Sequence, residues 1–271
     1  MYLTRHSTAS GPRWALNGRY LPSALSLGFL LQLPRTALQQ ILQALPLGEE
    51  ARGSLLAPVE DLHEVWAGGV TYLRSREARR AESAAGGLYE RVYEADRPEL
   101  FFKAVGWRVV GHGQPVRVRA DSRWSVPEPE LVLVINRHRE IVGYAAGNDI
   151  SSRDIEAENP LYLPQAKVYT GSCSLGPGIR LCEADPIRDL PVRLEIVRGG
   201  QVAYEGETRT SRMKRRFEEL VGYLGRELDF PYGVFLMTGT GIVPPDTFSL
   251  SAGDRIHIEV GELVLENEVT A

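Results

Sequence analysis

The stretch VPEPELVLVINRHREIVGYAAGNDISSRD, residues 126–154, decides how this chain of 271 residues folds. Two apolar runs, residues 131–135 and 141–149, are typical of β-strands. The polar sequence NRHRE between them is typical of a turn. The pattern therefore predicts a β-hairpin centred near His138.

Three carboxylates flank this hairpin. Side chains two positions apart in a strand point to the same face, so Glu128 and Glu130 point together. Pro129 between them cannot donate a ladder hydrogen bond, which indicates an edge or rim of the sheet. With the hairpin centred near His138, Asp149 lies almost opposite Glu128. The sequence thus predicts that the three carboxylates converge at one sheet edge.

Three converged carboxylates repel one another strongly unless a cation neutralises them. Ligation by oxygen alone suits Mg²⁺, with Mn²⁺ or Ca²⁺ possible, and does not suit Zn²⁺. Such a site leaves coordination positions for water and substrate. The alternative is that Glu128, Glu130 and Asp149 are three solvated acids beside a hairpin. The residues alone favour the two interpretations about equally.

The remaining patterns predict an α+β fold with a mainly antiparallel, mixed β core and a few helices. Residues 192–207 indicate a hairpin that turns at Gly199-Gly200. Residues 212–228 have the apolar spacing of a helix, which Thr210 or Ser211 would cap. Strand patterns outnumber helical ones and do not alternate with them, which argues against a doubly wound sheet.

Turn signals and one helical pattern distinguish the start of the chain. Leu38, Ile41, Leu42 and Leu45 have helical spacing. We predict a small N-terminal α/β region over residues 1–60 and a catalytic domain over residues 61–271.

Composition excludes several classes of protein. Hydrophobic residues make up 43%, charged residues 24%, and the net charge is -4, which is ordinary for a globular chain. No basic stretch dominates, so no nucleic-acid partner is expected. The sequence has no apolar run long enough for a membrane span. It also has no signal-peptide pattern. Two cysteines, Cys173 and Cys182, are expected as free thiols. We therefore expect a cytoplasmic protein.

Several motifs occur in the order found in one known family. They are EPELVLVI (128–135), GYAAGNDISSRD (143–154), SLGPGI (174–179) and TGTGIV (238–243). Over roughly residues 64–271 the chain resembles the fumarylacetoacetate hydrolase superfamily. The resemblance implies the β-roll fold of that superfamily and a homodimer or higher homo-oligomer. It also implies that Glu128, Glu130 and Asp149 bind Mg²⁺ or Mn²⁺.

One motif departs from the hydrolases of that superfamily. Their pattern G-x-N-Y-x-x-H-x-x-E corresponds here to GVTYLRSREA, residues 69–78. Ser75 stands where the histidine would be and Ala78 where the glutamate would be, with Glu77 out of register. The base that would activate water is therefore missing, and hydrolysis of a carbon–carbon bond is not expected.

Another motif indicates a subgroup. AENPLYLPQAKVYTGSCSLGP (157–177) is similar to the 2-keto-3-deoxy-D-arabinonate dehydratase branch. This resemblance implies a metal-dependent hydro-lyase that converts a 2-keto-3-deoxy-pentonate, a small 2-oxo sugar acid, to 2,5-dioxopentanoate. In that branch the lysine of LPQAK, here Lys167, lies beside the metal, and a glutamate near the substrate corresponds to Glu99.

Candidate catalytic and substrate-binding residues follow from these motifs. Lys167 is expected to act as base or acid, or else to balance the carboxylates or hold the substrate carboxylate. Glu99 is expected to exchange a second proton, unless it is a surface loop residue. Arg74, Ser75 and Thr240 are the candidates for substrate binding. Alternatively, Arg74 is a surface charge and Thr240 an ordinary turn residue.

Two other functions remain open. The first is an acylpyruvate hydrolase or oxaloacetate decarboxylase of the same superfamily, although Ser75 argues against the hydrolase. The second is a catalytically silent metal-binding relative. The complete ligand set and the intact LPQAK argue against a silent copy, because such a copy need not retain them.

Overall fold

The structure is a computed structural model that describes residues 1–82 and 86–271. Its strands are β1 (Tyr2–Thr8), β2 (Gly11–Leu16), β3 (Arg19–Tyr20), β4 (Leu55–Leu56), β5 (Glu64–Gly69), β6 (Glu99–Val105), β7 (Val116–Arg117), β8 (Ser125–Val126), β9 (Pro129–Ile135), β10 (Ile141–Asp149), β11 (Ser151–Ser152), β12 (Cys173–Leu181), β13 (Pro191–Arg198), β14 (Gln201–Arg209), β15 (Val234–Met237), β16 (Arg255–Val260) and β17 (Leu263–Thr270). Its helices are α1 (Leu27–Leu30), α2 (Arg35–Ala44), α3 (Leu73–Glu82), α4 (Gly86–Glu94), α5 (Arg153–Glu158), α6 (Leu163–Lys167) and α7 (Phe217–Leu224).

Two large sheets form the framework. The first has ten strands in the order β3-β2-β1-β12-β10-β9-β15-β5-β6, with β4 paired to β1. The second has five strands in the order β14-β13-β16-β17-β7. Neighbouring strands are antiparallel except for β15 with β5 and β17 with β7. The predicted α+β class with a mixed, mainly antiparallel core is confirmed.

Strand β9 is buried on both of its faces. Leu131, Leu133 and Ile135 pack into a core shared with the five-stranded sheet and α7. Val132 and Val134 face the opposite core, which contains the leucines of the N-terminal helices. A strand that is buried on both faces has a continuous apolar sequence, which explains why no polar residue interrupts LVLVI.

Strand β13, in contrast, is covered on one face. Val192, Leu194 and Ile196 are buried, whereas Arg193 and Glu195 are exposed. The predicted hairpin with β14 is present. Its turn uses two glycines at positive φ, 57° and 81°, a conformation that most other residues adopt only with strain.

The first 60 residues contribute both a helix and part of the large sheet. The predicted helical spacing corresponds to α2, which buries Leu38 and Leu42. Strand β1 pairs with β12, so that Tyr2 lies opposite Arg180. The division of the chain near residue 60 stays a prediction.

The helix expected over residues 212–228 is shorter, and neither Thr210 nor Ser211 caps it. Helix α7 begins at Phe217 after Arg216, which makes no side-chain capping hydrogen bond. Contacts from elsewhere in the chain hold the preceding residues out of the helix. The Lys214 N–H donates to the Thr71 carbonyl, and the Arg215 guanidinium donates to the carbonyls of residues 92, 95 and 96. These tertiary bonds override the helical spacing.

Two smaller predictions concern the chain as a whole. In the part of the chain that the structure describes, no helix is long and apolar enough to cross a membrane. Cys173 and Cys182 are both free thiols, as expected.

Candidate metal centre and adjoining cavity

The β9–β10 hairpin has the predicted register. Glu130 lies opposite Gly147 and Pro129 opposite Asn148. One step further, the Asp149 N–H donates to the Glu128 carbonyl at 3.0 Å, so Asp149 lies beside Glu128. One part of the prediction is wrong. Strand β9 lies between β10 and β15, so these residues meet at the end of an interior strand and not at the side edge of the sheet.

The three carboxylates come together in the interior. Glu128, Glu130 and Asp149 each offer an oxygen, and these oxygens lie within 4.8 Å of one another. These residues are 4%, 2% and 1% exposed, respectively. Solvent therefore does little to screen their repulsion, and charged groups of the protein or a bound cation must offset it.

Lys167 is one of the groups that offset this repulsion. It is the last residue of α6, and its Nζ donates to Glu128 Oε2 at 2.5 Å and to Asp149 Oδ2 at 2.8 Å. A third bond, of 2.6 Å, goes to Ser151 Oγ. The Phe101 ring lies 5.3 Å from the same nitrogen. Lys167 is therefore held beside two of the three carboxylates, where the resemblance placed the lysine of LPQAK.

A second buried lysine has a different set of partners. Lys103 in β6 is fully buried, and its Nζ lies 2.5 Å from Asp149 Oδ1. It also donates to the carbonyls of Ile150 and Lys167, at 3.0 and 2.6 Å. Two hydrogen bonds and one ion pair thus hold this ammonium. Lys103 therefore ties Asp149 to the end of the helix that carries Lys167, which is a structural role.

Arg153 and Ser151 hold Glu128. The Arg153 Nη2 lies 3.0 Å from Glu128 Oε1, and both side chains are buried. The Ser151 hydroxyl donates to Glu128 Oε2 at 2.9 Å. These contacts orient the carboxylate from the protein side.

Glu130 differs from its two neighbours. Among residues 1–82 and 86–271 it forms no ion pair, and its Oε2 accepts a hydrogen bond from the Gly239 N–H at 2.5 Å. Burial and the nearby charges of Asp149 and Glu128 raise the pKa of Glu130 well above its ordinary value, although Lys167 and the Gly239 N–H act in the opposite direction. A buried all-oxygen cluster with one unneutralised carboxylate fits a hard divalent cation.

A cavity opens beside the carboxylates and brings most of the predicted residues together. The candidates that line it with the three carboxylates are Ser75, Glu99, Lys167 and Thr240. Glu99 begins β6 and lies over Gly69 of β5, its partner in the sheet. The hydroxyl of Ser75 donates to the Tyr72 carbonyl at 2.8 Å in the first turn of α3. Arg74 is exposed and does not line the cavity.

Sequence reasoning missed several lining residues, and two of them have large side chains. Glu156 on α5 and Phe101 on β6 both face the cavity. The spacing of Arg153 and Glu156 by three positions on a helix is a signal that could have indicated Glu156, since such residues are neighbours on one face. No local pattern pointed to Phe101.

The comparisons with known proteins agree with this fold. A family profile described as fumarylacetoacetate (FAA) hydrolase C-terminal matches residues 65–270, and the chain belongs to this family. It is 49% identical over 213 residues to a probable 2-keto-3-deoxyxylonate dehydratase of Haloferax volcanii, covering 78% of this chain and 73% of the relative. It is 45% identical over 210 residues to the 2-dehydro-3-deoxy-D-arabinonate dehydratase of Saccharolobus solfataricus, covering 75% and 70% of the two chains.

A solved structure extends the similarity to the whole chain. It is a 2-keto-3-deoxy-D-arabinonate dehydratase in complex with magnesium and 2,5-dioxopentanoate. Its TM-score with this chain is 0.83 at 34% identity, and the match covers 100% of this chain and 99% of the other. The dehydratase branch suggested by LPQAK is thus the branch to which these relatives belong.

Proposed function

We propose that this chain is a Mg²⁺-dependent dehydratase that converts a 2-keto-3-deoxy-pentonate to 2,5-dioxopentanoate and water. The observation that carries the proposal is the buried group of Glu128, Glu130 and Asp149 with Lys167 bound to two of them. The dehydratase relatives, one of them solved with magnesium and 2,5-dioxopentanoate, support the same reaction.

Glu128, Glu130 and Asp149 would hold the metal, for which Mn²⁺ or Ca²⁺ are alternatives to Mg²⁺. When bound, the metal would supply a Lewis acid that polarises the 2-oxo group and acidifies the protons at C3. The Gly239 N–H and the Arg153 guanidinium orient two of the carboxylates from the protein side.

The remaining cavity residues carry the proton transfers and substrate contacts. In this structure Lys167 donates three hydrogen bonds as an ammonium, so it would have to lose one of these protons before it takes one from C3. Glu99 protonates the hydroxyl that leaves C4 as water. Ser75 and Thr240 border the space that the substrate would occupy. The pairing of Arg74 with the substrate carboxylate stays a prediction. The exposed side chain of Arg74 would have to turn toward the cavity to make this contact.

Hydrolysis is the weaker alternative. No histidine is among the described residues that line the cavity, so no imidazole is placed to activate water. Ser75 occupies the position of the hydrolase histidine, and its hydroxyl is engaged with the backbone of Tyr72. These observations favour elimination over attack by water.

We expect the purified protein with Mg²⁺ to form 2,5-dioxopentanoate from a 2-keto-3-deoxy-pentonate. Product formation is followed by NMR, with both C4 epimers tested and with acylpyruvates and oxaloacetate as competing substrates. Pyruvate released from an acylpyruvate or oxaloacetate, without any dehydration of the sugar acids, would contradict the proposal. Inactivity toward all of them by a protein that binds Mg²⁺ would favour a silent metal-binding relative.

A second prediction concerns the position of Glu99. In Gly69→Ala the new Cβ would lie 2.0 Å from Glu99 Oε2 and 2.5 Å from its Cδ, so the carboxylate must move. We expect turnover to fall by about tenfold or more, since a positioned acid contributes roughly 10²–10⁴. The matched control is Gly222→Ala, because nothing lies within 4 Å of that Cβ. Wild-type turnover of Gly69→Ala would show that the reaction does not require the Glu99 carboxylate at its position in this structure.

Three further expectations accompany this function. We propose that the protein acts in the cytoplasm, that it forms a homodimer or higher homo-oligomer, and that the catalytic domain begins near residue 61. The profile match from residue 65 is compatible with that boundary.

A further inference from the structure

The overall reaction requires more than the loss of water, and this inference rests on the proposed function. Removing a C3 proton and the C4 hydroxyl yields 5-hydroxy-2-oxopent-3-enoate. This compound is an isomer of 2,5-dioxopentanoate with its double bond between C3 and C4. To reach the aldehyde, the C5–H bond must break, and protons must be added at C3 and C4. A base is therefore needed at C5 as well as at C3.

The cavity contains one ionisable residue to which no task has been assigned. Apart from the three carboxylates of the metal centre, the ionisable lining residues of the described chain are Lys167, Glu99 and Glu156. Lys167 and Glu99 serve the removal of water. Glu156, on α5, is 5% exposed and faces the cavity. A buried carboxylate that faces a substrate cavity is a candidate for proton transfer.

Arg153 connects Glu156 to the metal centre by ion pairs. Its Nη1 lies 3.9 Å from Glu156 Oε2, and its Nη2 lies 3.0 Å from Glu128 Oε1. The guanidinium is planar, itself only 2% exposed, and lies between the two carboxylates. Glu128 would bind the metal at the C1–C2 end of the substrate. Glu156 lies on the other side of Arg153 and lines the cavity that the rest of the substrate must enter.

We propose that Glu156 is a further catalytic residue, the base that takes a proton from C5 after water has left. As the anionic half of an ion pair, it can accept a proton. The electron pair of the C5–H bond forms the new C4=C5 double bond. The π electrons of the C3=C4 double bond move to C3, where they bind the proton that Lys167 removed earlier. The product of this step is the enol of 2,5-dioxopentanoate.

A last transfer completes the balance. The enol O–H gives its proton to Glu99, which lost one to the departing hydroxide. The C5=O bond forms, and C4 takes the proton that Glu156 holds. Lys167, Glu99 and Glu156 all return to their starting protonation states. C5 is oxidised while C3 and C4 are reduced, so no external oxidant or reductant is required.

The test uses substrate carrying two deuterium atoms at C5, with Glu156→Gln and the control Glu158→Gln, an exposed carboxylate of the same helix. The wild-type protein and the control should yield 2,5-dioxopentanoate with one deuterium at C5. Glu156→Gln should still consume substrate but release 5-hydroxy-2-oxopent-3-enoate, with olefinic NMR signals and both deuterium atoms at C5. Formation of the aldehyde should fall by about 10²-fold or more.

Each other outcome has a defined meaning. Aldehyde formation by Glu156→Gln at the wild-type rate would overturn the proposal, as would a parallel loss of water elimination and isomerisation. If Glu156→Gln does not fold, Glu156→Asp serves instead, with slowed isomerisation and accumulated enone as the expected result and an unchanged product ratio as the contrary one. If the wild-type protein dehydrates no 2-keto-3-deoxy-pentonate, the proposed function itself fails.

Discussion

Lys167→Met is expected to lower turnover of the 2-keto-3-deoxy-pentonate by about 10²- to 10⁴-fold, the range that a positioned general base contributes. The Lys167 Nζ lies 2.5 Å from Glu128 Oε2 and 2.8 Å from Asp149 Oδ2, and it faces the substrate cavity. Methionine has a similar length and no proton to exchange. The measurement is the rate of 2,5-dioxopentanoate formation at saturating Mg²⁺.

The control for this variant is metal binding. Mg²⁺ binding measured by calorimetry should persist in Lys167→Met, because Glu128, Glu130 and Asp149 remain and no ammonium competes with the cation for their oxygens. Turnover near the wild-type value would show that Lys167 only balances charge. Loss of both Mg²⁺ binding and folding would show that its role is to hold the carboxylates together.

Lys103→Met provides a contrast between the two buried lysines. This change removes the donor to the carbonyls of Ile150 and Lys167 as well as the partner of Asp149. Removing one member of a buried ion pair typically costs about 3–5 kcal/mol. We expect Lys103→Met to lower the free energy of unfolding with or without Mg²⁺, as measured by denaturant titration. For Lys167→Met, saturating Mg²⁺ should restore most of any loss in the free energy of unfolding.

The hairpin at the metal centre was readable from the sequence because its determinants are local. Strand periodicity, the NRHRE turn and the spacing of Glu128, Glu130 and Asp149 lie within 29 residues of chain. Register in a hairpin follows from the position of the turn, so the pairing of residues 128 and 149 could be counted in advance. The motif resemblance then supplied Lys167 and the class of reaction.

The features that sequence reasoning missed depend on contacts between distant segments. Lys103 meets Asp149 across 46 positions of chain, and no local pattern encodes that pair. Helix α7 is shorter than its apolar spacing predicts because Lys214 and Arg215 bond to residues far upstream. Arg74 lies outside the cavity although Ser75 lines it, since adjacent residues of a helix point in different directions.

The metal-free protein is expected to lose stability as the pH rises above the ordinary glutamate pKa and through the raised pKa of Glu130. Burial and the charges of Asp149 and Glu128 raise the pKa of Glu130 in the folded state well above the ordinary glutamate value. Above that ordinary value the unfolded chain has already lost this proton, whereas the folded protein still holds it. As the pH rises through the raised pKa, the folded protein must carry a buried, unneutralised charge, so its free energy of unfolding falls.

Mg²⁺ should remove this pH dependence, because it binds the ionised carboxylates. At a free Mg²⁺ concentration of 100 times its Kd the expected gain is about 2.7 kcal/mol. At one fixed Mg²⁺ concentration the gain should be larger at pH 8 than at pH 5, because the carboxylates then bind Mg²⁺ with less competition from protons. The measurement is Tm across this pH range in Mg²⁺ and in EDTA. His257 also loses a stabilising charge in this window, because hydrogen bonds to Glu266 and Glu259 raise its pKa despite burial. That loss occurs in both conditions, so the difference between them isolates the metal centre.

Glu130→Gln tests which carboxylate is responsible. Without Mg²⁺ at pH 8 this variant should be more stable than the wild-type protein, since it no longer buries the unneutralised charge. It should also gain much less stability from Mg²⁺ and lose turnover. Glu205→Gln, at an exposed position of β14, should behave like the wild-type protein in both conditions. If Glu130→Gln retained the full Mg²⁺ gain, Glu130 would not be a metal ligand, and the other two carboxylates would have to hold the ion without it.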